Sequence, residues 1–514
     1  MTQTTPTATH DLEHRSAIRA FGQANYKRLR GSRRRNGYFH QYLSRLVGHN
    51  VIPGCRVLDI GCGNGDMLAA CKPIPGGGGG IDINPAAIAD AKTRHPDLSF
   101  HELAAEDLSK LPQALAPGPC PLTPPFDYII LSGTLQQLYD LHTALEQIRS
   151  VCHDRTRIII RTFSRVWQPA IRLGEILGWK ARVPDECWIP SAEVKNVLAQ
   201  CDFDVVKQQD GILFPFYIPL LSNFINRWFS PVSGLHHLCL STVTVARMLP
   251  RTNRLQPPES VSVIIPARNE AGNIKPLLDR VPRMAARQEI IFVEGNSTDD
   301  TWETIQKAVA DYNAQAPQNS ELRIQNSELP PRFSVSCYKQ TGKGKGDAVR
   351  LGFAKATGEI LMILDADISV LPEELTRFTD AVASGRCEFA NGSRLVYPMD
   401  KQAMQFLNMI ANTLFGWMFT FLLSQRLRDT LCGTKVLRKT DYEKIVANRH
   451  YFGDFDPFGD FDLLFGAARL NLKIIDVPVH YKQRTYGSTN ISRFRHGLLL
   501  LRMCAFAARK IKFI

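Results

Sequence analysis

The strongest constraint on this chain is that it holds two separate alternations of short β-branched runs with helical stretches, one from Val57 to Ile160 and another beginning at Val261. Each alternation demands a parallel sheet wrapped by helices. At 514 residues the chain also exceeds the size at which a single hydrophobic core keeps growing. Between the two patterns, residues 249–259 read LPRTNRLQPPE, polar and proline-bearing, as a linker should. The expected class is therefore α/β, with two doubly wound domains. The expected division is a basic, partly disordered segment at 1–36, a first domain at 37–248, the linker, and a second domain at 260–514 with a basic amphipathic tail. Proline-rich residues 116–125 and the tract around 313–331 interrupt these patterns without separating them, and read as surface loops.

The net charge of +13 matters through its placement. From His14 to Arg56 there is no acid, while Lys27, Arg28, Arg30, Arg33, Arg34 and Arg35 crowd together; from Tyr481 to Ile514 the pattern repeats. Charge gathered at two ends implies a contact face for nucleic acid or anionic lipid. No nucleic-acid-binding module accompanies the basic residues, so lipid is the expected partner. The 12 cysteines are scattered, with no CxxC pair, which argues against a disulfide framework or structural zinc. Nor does a charged n-region followed by an apolar run open the sequence. A cytoplasmic protein, peripheral at the inner membrane face, is expected. Residues 403–423 are nominally long enough to span a bilayer, but Gln405, Asn408 and Asn412 interrupt them at helical spacing. They are expected to form an amphipathic helix and no transmembrane span.

In the first half, Val57-Leu58-Asp59-Ile60 runs into Gly61-Cys62-Gly63-Asn64-Gly65, a turn whose glycines admit a ligand close to the backbone. Asp82 ends the next strand, where a carboxylate can accept from both hydroxyls of a ribose. At these residues the chain resembles the class I S-adenosylmethionine-dependent methyltransferases, whose Rossmann-like signature turn matches Asp59, Gly61, Gly63 and Gly65. The resemblance implies that the three glycines line the methyl donor and that Asp82 holds its ribose. Where relatives carry an Asp beside the adenine this chain has Ala104, and Asp107 is the alternative contact. No catalytic base is identified.

In the second half, the strand Val261 to Ile265 ends at Pro266-Ala267-Arg268-Asn269-Glu270, and another ends in Glu294. Gly342-Lys343-Gly344-Lys345-Gly346-Asp347 then opens a helix with cations and bare amides, suited to a diphosphate. Finally the strand Ile360 to Leu364 delivers Asp365-Ala366-Asp367, two carboxylates able to share a divalent cation. In this order the segments resemble the glycosyltransferase family 2 enzymes of GT-A fold, most nearly the dolichol-phosphate mannosyltransferase-like branch. That resemblance implies that Pro266, Asn269, Glu270 and Glu294 hold the nucleoside and that Lys345 and Asp347 border it. It further implies that Asp365 and Asp367 bind Mg²⁺ or Mn²⁺, that Asp429, Asp460 and Asp462 supply the catalytic acids, and that Arg484 grips an acceptor phosphate.

The expectation is thus a bifunctional enzyme. One domain moves a sugar from a nucleotide sugar to a polyprenyl phosphate or other lipid-linked acceptor, and the other transfers methyl groups from S-adenosylmethionine. The alternative is a lone glycosyltransferase whose first domain binds the methyl donor without catalysis, as a scaffold.

Overall fold

The computed structural model describes residues 6–111, 125–177, 183–184, 187–232, 234–249, 258–314, 333–397, 406–449, 460–484, 486 and 493–513. The chain forms two compact units that part at Arg251 and Thr252. Most of the linker and the two proline-bearing tracts lie outside the described residues.

The first unit holds a seven-stranded sheet in the order β3-β2-β1-β4-β5-β7-β6. Its strands are β1 (Val57–Ile60), β2 (Gly78–Asp82), β3 (Ser99–Glu102), β4 (Phe126–Ser132), β5 (Cys152–Phe163), β6 (Phe203–Gly211) and β7 (Ser241–Met248). All pair in parallel except β7, which runs antiparallel to both β5 and β6. Successive side chains alternate between faces, and both faces are dry. Leu58, Ile60, Ile129, Leu131, Ile158 and Ile160 join one core, while Val57, Tyr128, Ile130 and Ile159 join the other. Helices cover both sides, so the strands read as continuous apolar runs.

The basic segment at the start is described from Pro6 onward. It is a helix from Pro6 to Arg35, followed by a second helix, Gly37–Gly48. Arg15, Arg19, Gly22, Tyr26, Arg30 and Arg33 recur at three- and four-residue intervals and so form one helical stripe. Arg15 pairs with Asp107 at 3.0 Å, Arg19 with Glu102, Arg30 with Asp90 at 3.5 Å, and Tyr26 donates to Asp90 at 2.8 Å. Gly22 packs against the Asn84 side chain, where any Cβ would collide. Arg15, Arg19 and Arg30 of this segment thus pair with acids of the same unit.

The second unit has strands β8 (Ser260–Ala267), β9 (Arg287–Glu294), β10 (Ser334–Lys339), β11 (Ile360–Ile363), β12 (Phe389–Ser393), β13 (Lys435–Arg438) and β14 (Ile474–Pro478). Their order is β10-β9-β8-β11-β13-β12-β14, with β13 antiparallel to both its neighbours. In each sheet the strand order turns back beside the first strand, at β1/β4 and at β8/β11, the place where ligands of doubly wound sheets usually bind.

The apolar segment 403–423 forms the helix Phe406–Leu423. No helix among the described residues is long and apolar enough to cross a membrane. The polarity of this helix is opposite to expectation at Asn412, which is buried, while Trp417 and Leu414 stand 71% and 57% exposed. Asn412 points inward because it donates to Asp429 at 2.8 Å. The side chains of Gln405 and Asn408 lie outside the described residues. In the tail, the helix Arg493–Ala507 buries Leu500, Met503, Cys504 and Ala507 and exposes Leu498 and Leu501.

Candidate functional sites

In the first unit a cavity of about 1350 Å³ opens over the carboxyl ends of β1, β2, β4 and β5. Gly61, Gly63 and Gly65 all have positive φ, at 75°, 55° and 80°. A Cβ on Gly61 would strike Thr134, so glycine is required there for space as well as conformation, while one on Gly63 would meet only the movable end of Arg33. Asp82 accepts from the backbone N–H groups of Gly63 and Asn84, each at 2.8 Å. Each oxygen keeps a further lone pair for a ligand. Asp59 is buried beneath the turn, and no hydrogen bond reaches either of its carboxylate oxygens among the described residues. Burial, then the charge of Asp82, pushes its carboxyl up to about 7.

That shift has a testable sign. Folded Asp59 holds a proton that the unfolded chain releases above its ordinary value near 4, so this group removes stability as pH rises from about 4 to about 7. Asp59→Asn is expected to flatten that slope, and urea melts at pH 5 and pH 8 check it. Equal loss of stability between those two values in both proteins would count against a protonated Asp59.

Asp107 does not line the cavity. Its carboxylate is held at 3.0 Å by both Arg15 and Lys110. Ala104, Ala105 and Glu106 occupy the wall instead, Glu106 with only 4% of its side chain exposed. The adenine contact expected of Asp107 therefore has Glu106 as its nearest acidic substitute.

In the second unit, Asp365 and Asp367 follow β11 directly. Lys345 sits 2.6 Å from Asp365, and Arg484 sits 2.5 Å from Asp367 and 4.0 Å from Glu270. Burial alone would raise the Asp365 carboxyl, but Lys345, Arg484 and Lys435 hold it below the usual range. Burial, with Asp367 nearby, pushes Glu270 up to about 7. The loop between Asp429 and Lys435 reaches this site through Gly433, where a Cβ would collide with both Asp365 and Lys345. Around the nucleoside region, Asn269 takes a left-handed backbone (φ 58°). Its N–H donates to Ser297 Oγ at 3.0 Å, and its side chain accepts from Thr298 N–H at 2.8 Å. Glu294 accepts from Ser297 N–H, and Asp347 from Gly342 N–H at 2.9 Å. Pro266 lies within β8.

Residues 262–445 match the Glycosyl transferase family 2 profile, and residues 52–201 match the profile described as Methyltransferase domain. The chain joins these two domains. The glycosyltransferase domain is 32% identical over 139 residues to a dolichol-phosphate mannosyltransferase of Pyrococcus furiosus, covering 26% of this chain and 33% of that relative. It is 28% identical to a dolichyl-phosphate beta-glucosyltransferase of Saccharomyces cerevisiae, covering 46% of this chain and 72% of the relative. A polyprenol monophosphomannose synthase of Mycolicibacterium smegmatis is 27% identical, with 46% and 83% covered. Among solved structures, a SAM-dependent methyltransferase of Thermotoga maritima is 13% identical over 45% of this chain and 99% of its own, with a TM-score of 0.35. Glucosyl-3-phosphoglycerate synthase of Mycobacterium tuberculosis, in complex with Mn²⁺ and UDP, is 16% identical over 49% and 80%, with a TM-score of 0.33.

Within the glycosyltransferase domain, the acids expected to act as bases have other engagements. Asp429 is fully buried and accepts from Arg394 Nε at 2.7 Å, Arg394 Nη2 at 2.9 Å, Asn412 at 2.8 Å and two backbone N–H groups at 3.0 Å. Burial would raise its carboxyl, but the Arg394 guanidinium holds it down at about 2. All of these hydrogen bonds turn Asp429 toward Arg394, Asn412 and the backbone, an arrangement that suits a structural anchor better than a proton acceptor. Asp462 accepts from Arg449 Nε at 2.9 Å. The Asp460 side chain lies outside the described residues, as do Asp454 and Asp456.

Arg161 of the methyltransferase domain and Arg394 of the glycosyltransferase domain escaped the sequence reading. Arg33 was visible only as one of many basic residues. Its helical stripe would have singled it out.

Proposed function

We propose that the glycosyltransferase domain moves a sugar from a nucleotide sugar to a polyprenyl phosphate at a membrane surface, and that the methyltransferase domain binds S-adenosylmethionine and uses it. The observation carrying the first part is the carboxylate pair Asp365 and Asp367 at the end of β11, flanked by Lys345 and Arg484. Two hard oxygen donors suit Mg²⁺ or Mn²⁺. Among the described residues no third acid, histidine or cysteine joins them. Such an ion would need phosphate oxygens to complete its shell, so it should enter with the nucleotide. Bound there, it would supply charge to neutralise the departing diphosphate. Arg484 would have to leave Asp367 on loading, which frees a guanidinium for an acceptor phosphate.

The relatives named for dolichol or polyprenol phosphate transfer support this acceptor class, as do the acids. Asp429 is committed to Arg394 and Asp462 is bonded to Arg449. A phosphate acceptor is already ionised and needs no strong base, unlike a hydroxyl. Exposed Trp417, Leu414, Leu498 and Leu501 supply apolar surface for a lipid interface. No nucleic-acid partner is proposed.

For the methyltransferase domain, the cradle fits its donor: three glycines of positive φ, Asp82 with spare acceptor capacity, and the unbonded carboxylate of Asp59 at the cavity floor. S-adenosylmethionine would supply an electrophilic methyl group there. A thermal-shift panel of the full chain tests both halves, because a ligand stabilises the state that binds it. S-adenosylhomocysteine, and UDP- or GDP-sugars with Mn²⁺, should each raise the melting temperature; no shift with any nucleotide sugar would count against the glycosyltransferase reading. Asp82→Ala should weaken S-adenosylhomocysteine by about 1.5–3 kcal/mol, as expected for lost charge-assisted hydrogen bonds. Unaltered affinity in calorimetry would remove Asp82 from the donor site.

A further inference from the structure

The segment between β6 and β7 is built inside out. In the helix Leu221–Trp228 and just beyond it, the buried side chains are polar: Ser222, Asn226 and Ser230 recur at four-residue intervals along the inward face. They bond to the backbone of the loop that precedes the helix. Ser222 Oγ accepts from Ile218 N–H and donates to the Phe216 carbonyl, each at 2.7 Å. Asn226 accepts from Phe214 N–H at 2.8 Å and donates to the Phe214 carbonyl at 2.7 Å, and Ser230 Oγ accepts from Leu213 N–H at 3.1 Å. Asn226 also donates to the Tyr38 hydroxyl at 2.9 Å, which ties the segment to the helix Gly37–Gly48.

With the polar side turned in, the apolar side faces out. Leu220 is 88% exposed, Phe216 66% and Tyr217 65%, and Ile218, Leu221 and Phe224 are exposed beside them. The Ser222 hydrogen bonds hold residues 216 and 218 against the first turn of the helix, so these side chains form one patch. A surface helix of a water-soluble domain has the opposite polarity, and a contiguous apolar patch of this kind marks an interaction site. Side chains so exposed project from the surface and line no groove. The charge around them has one sign: no Asp or Glu occurs from Gly211 to Pro258, and Arg227, three residues beyond Phe224 on the same helical face, is exposed. Projecting apolar and aromatic groups, edged by a cation and free of acid, suit the boundary between acyl chains and anionic headgroups. Phe216 and its neighbour Pro215 also line the methyltransferase cavity, so the patch and the cavity share an edge.

We propose that this patch docks the methyltransferase domain on a lipid bilayer and brings the mouth of its cavity to the lipid. The surface is separate from the membrane contact read for the glycosyltransferase domain, and either can fail without the other. The full chain is floated with phosphatidylcholine–phosphatidylglycerol vesicles, beside a variant carrying Leu220→Asn and Phe224→Gln. Asparagine tolerates the φ of 64° at position 220, and both positions are exposed, so the variant should melt with the natural chain. Its partition into vesicles should fall at least about fivefold, the scale of withdrawing two partly inserted apolar side chains. A reduction smaller than about fivefold overturns the proposal; if Leu414→Gln with Trp417→Gln then lowers flotation instead, the membrane contact belongs to the glycosyltransferase domain. A natural chain that does not float overturns it as well, and sugar transfer to a short-chain polyprenyl phosphate then judges the glycosyltransferase reading by itself. If light scattering without vesicles finds the natural chain dimeric and the double variant monomeric, the patch joins two copies of the chain and the proposal is wrong. Should the double variant fail to fold, Tyr217→Gln decides: partition should fall at least about threefold, and a smaller change overturns the proposal.

Discussion

Asp367→Asn is expected to reduce sugar transfer by about 10²–10³-fold, the scale of removing one electrostatic stabiliser from a reacting centre. Asp367 is buried, accepts from Ser369 N–H and Oγ at 3.0 and 2.7 Å, and faces Arg484 at 2.5 Å. Asparagine preserves the shape and one acceptor oxygen while deleting the charge. The Ser369 contacts can therefore persist, and the domain should remain folded. What is lost is one of two carboxylates able to hold a divalent ion, and with it the anchor that places Arg484. The measurement is transfer from a nucleotide sugar to a short-chain polyprenyl phosphate at saturating Mn²⁺, beside calorimetry of S-adenosylhomocysteine. The methyl-donor site lies in a separate unit, so its affinity should not change. Full transfer by Asp367→Asn, or full transfer by the natural chain in excess chelator, would remove the metal from the reading.

How far this chain could be read from residues alone differs between backbone and side chains. The strands were legible because burial on both faces writes itself as uninterrupted runs such as Val57-Leu58-Asp59-Ile60 and Val261 to Ile265, whose ends coincide with glycine turns or acids. The cavity-lining residues Gly61, Gly63 and Asp82 were legible for a related reason: a tight turn at a strand end favours glycine, and a strand end has a fixed place in a doubly wound sheet. Side-chain partners were not legible. Arg394 lies 35 positions before Asp429, and nothing in either neighbourhood announces that they meet. Asp107 and Glu106 are adjacent, and about a third of a turn of irregular helix decides which of them faces the cavity. Nor did the basic segment disclose its helix, since its stripe is polar and docks through ion pairs, without the apolar periodicity by which helices are recognised.

Asp429→Ala should destabilise the glycosyltransferase domain by about 3–5 kcal/mol, the range for breaking a buried ion pair from one side. The substitution leaves the Arg394 guanidinium, whose side chain is 12% exposed, without the carboxylate that accepts two of its N–H groups. It also strips Asn412 of its acceptor and so loosens the helix Phe406–Leu423 where that helix faces inward. Replacing both partners with apolar residues, as in Arg394→Met with Asp429→Leu, should recover much of the loss, because no stranded charge remains. Asp429 is held at about 2, below the unfolded value near 3.9, so its contribution is complete above about pH 4 and disappears as pH falls through about 2. Urea melts should accordingly show a constant gap between the natural chain and Asp429→Ala from pH 5 to 8 and a narrower one at pH 3. A catalytic base would behave differently: stability would be almost untouched, and transfer would collapse with a pH profile tied to the missing group. If Asp429→Ala melts with the natural chain yet transfers no sugar, the structural assignment is wrong and Asp429 returns to the reaction.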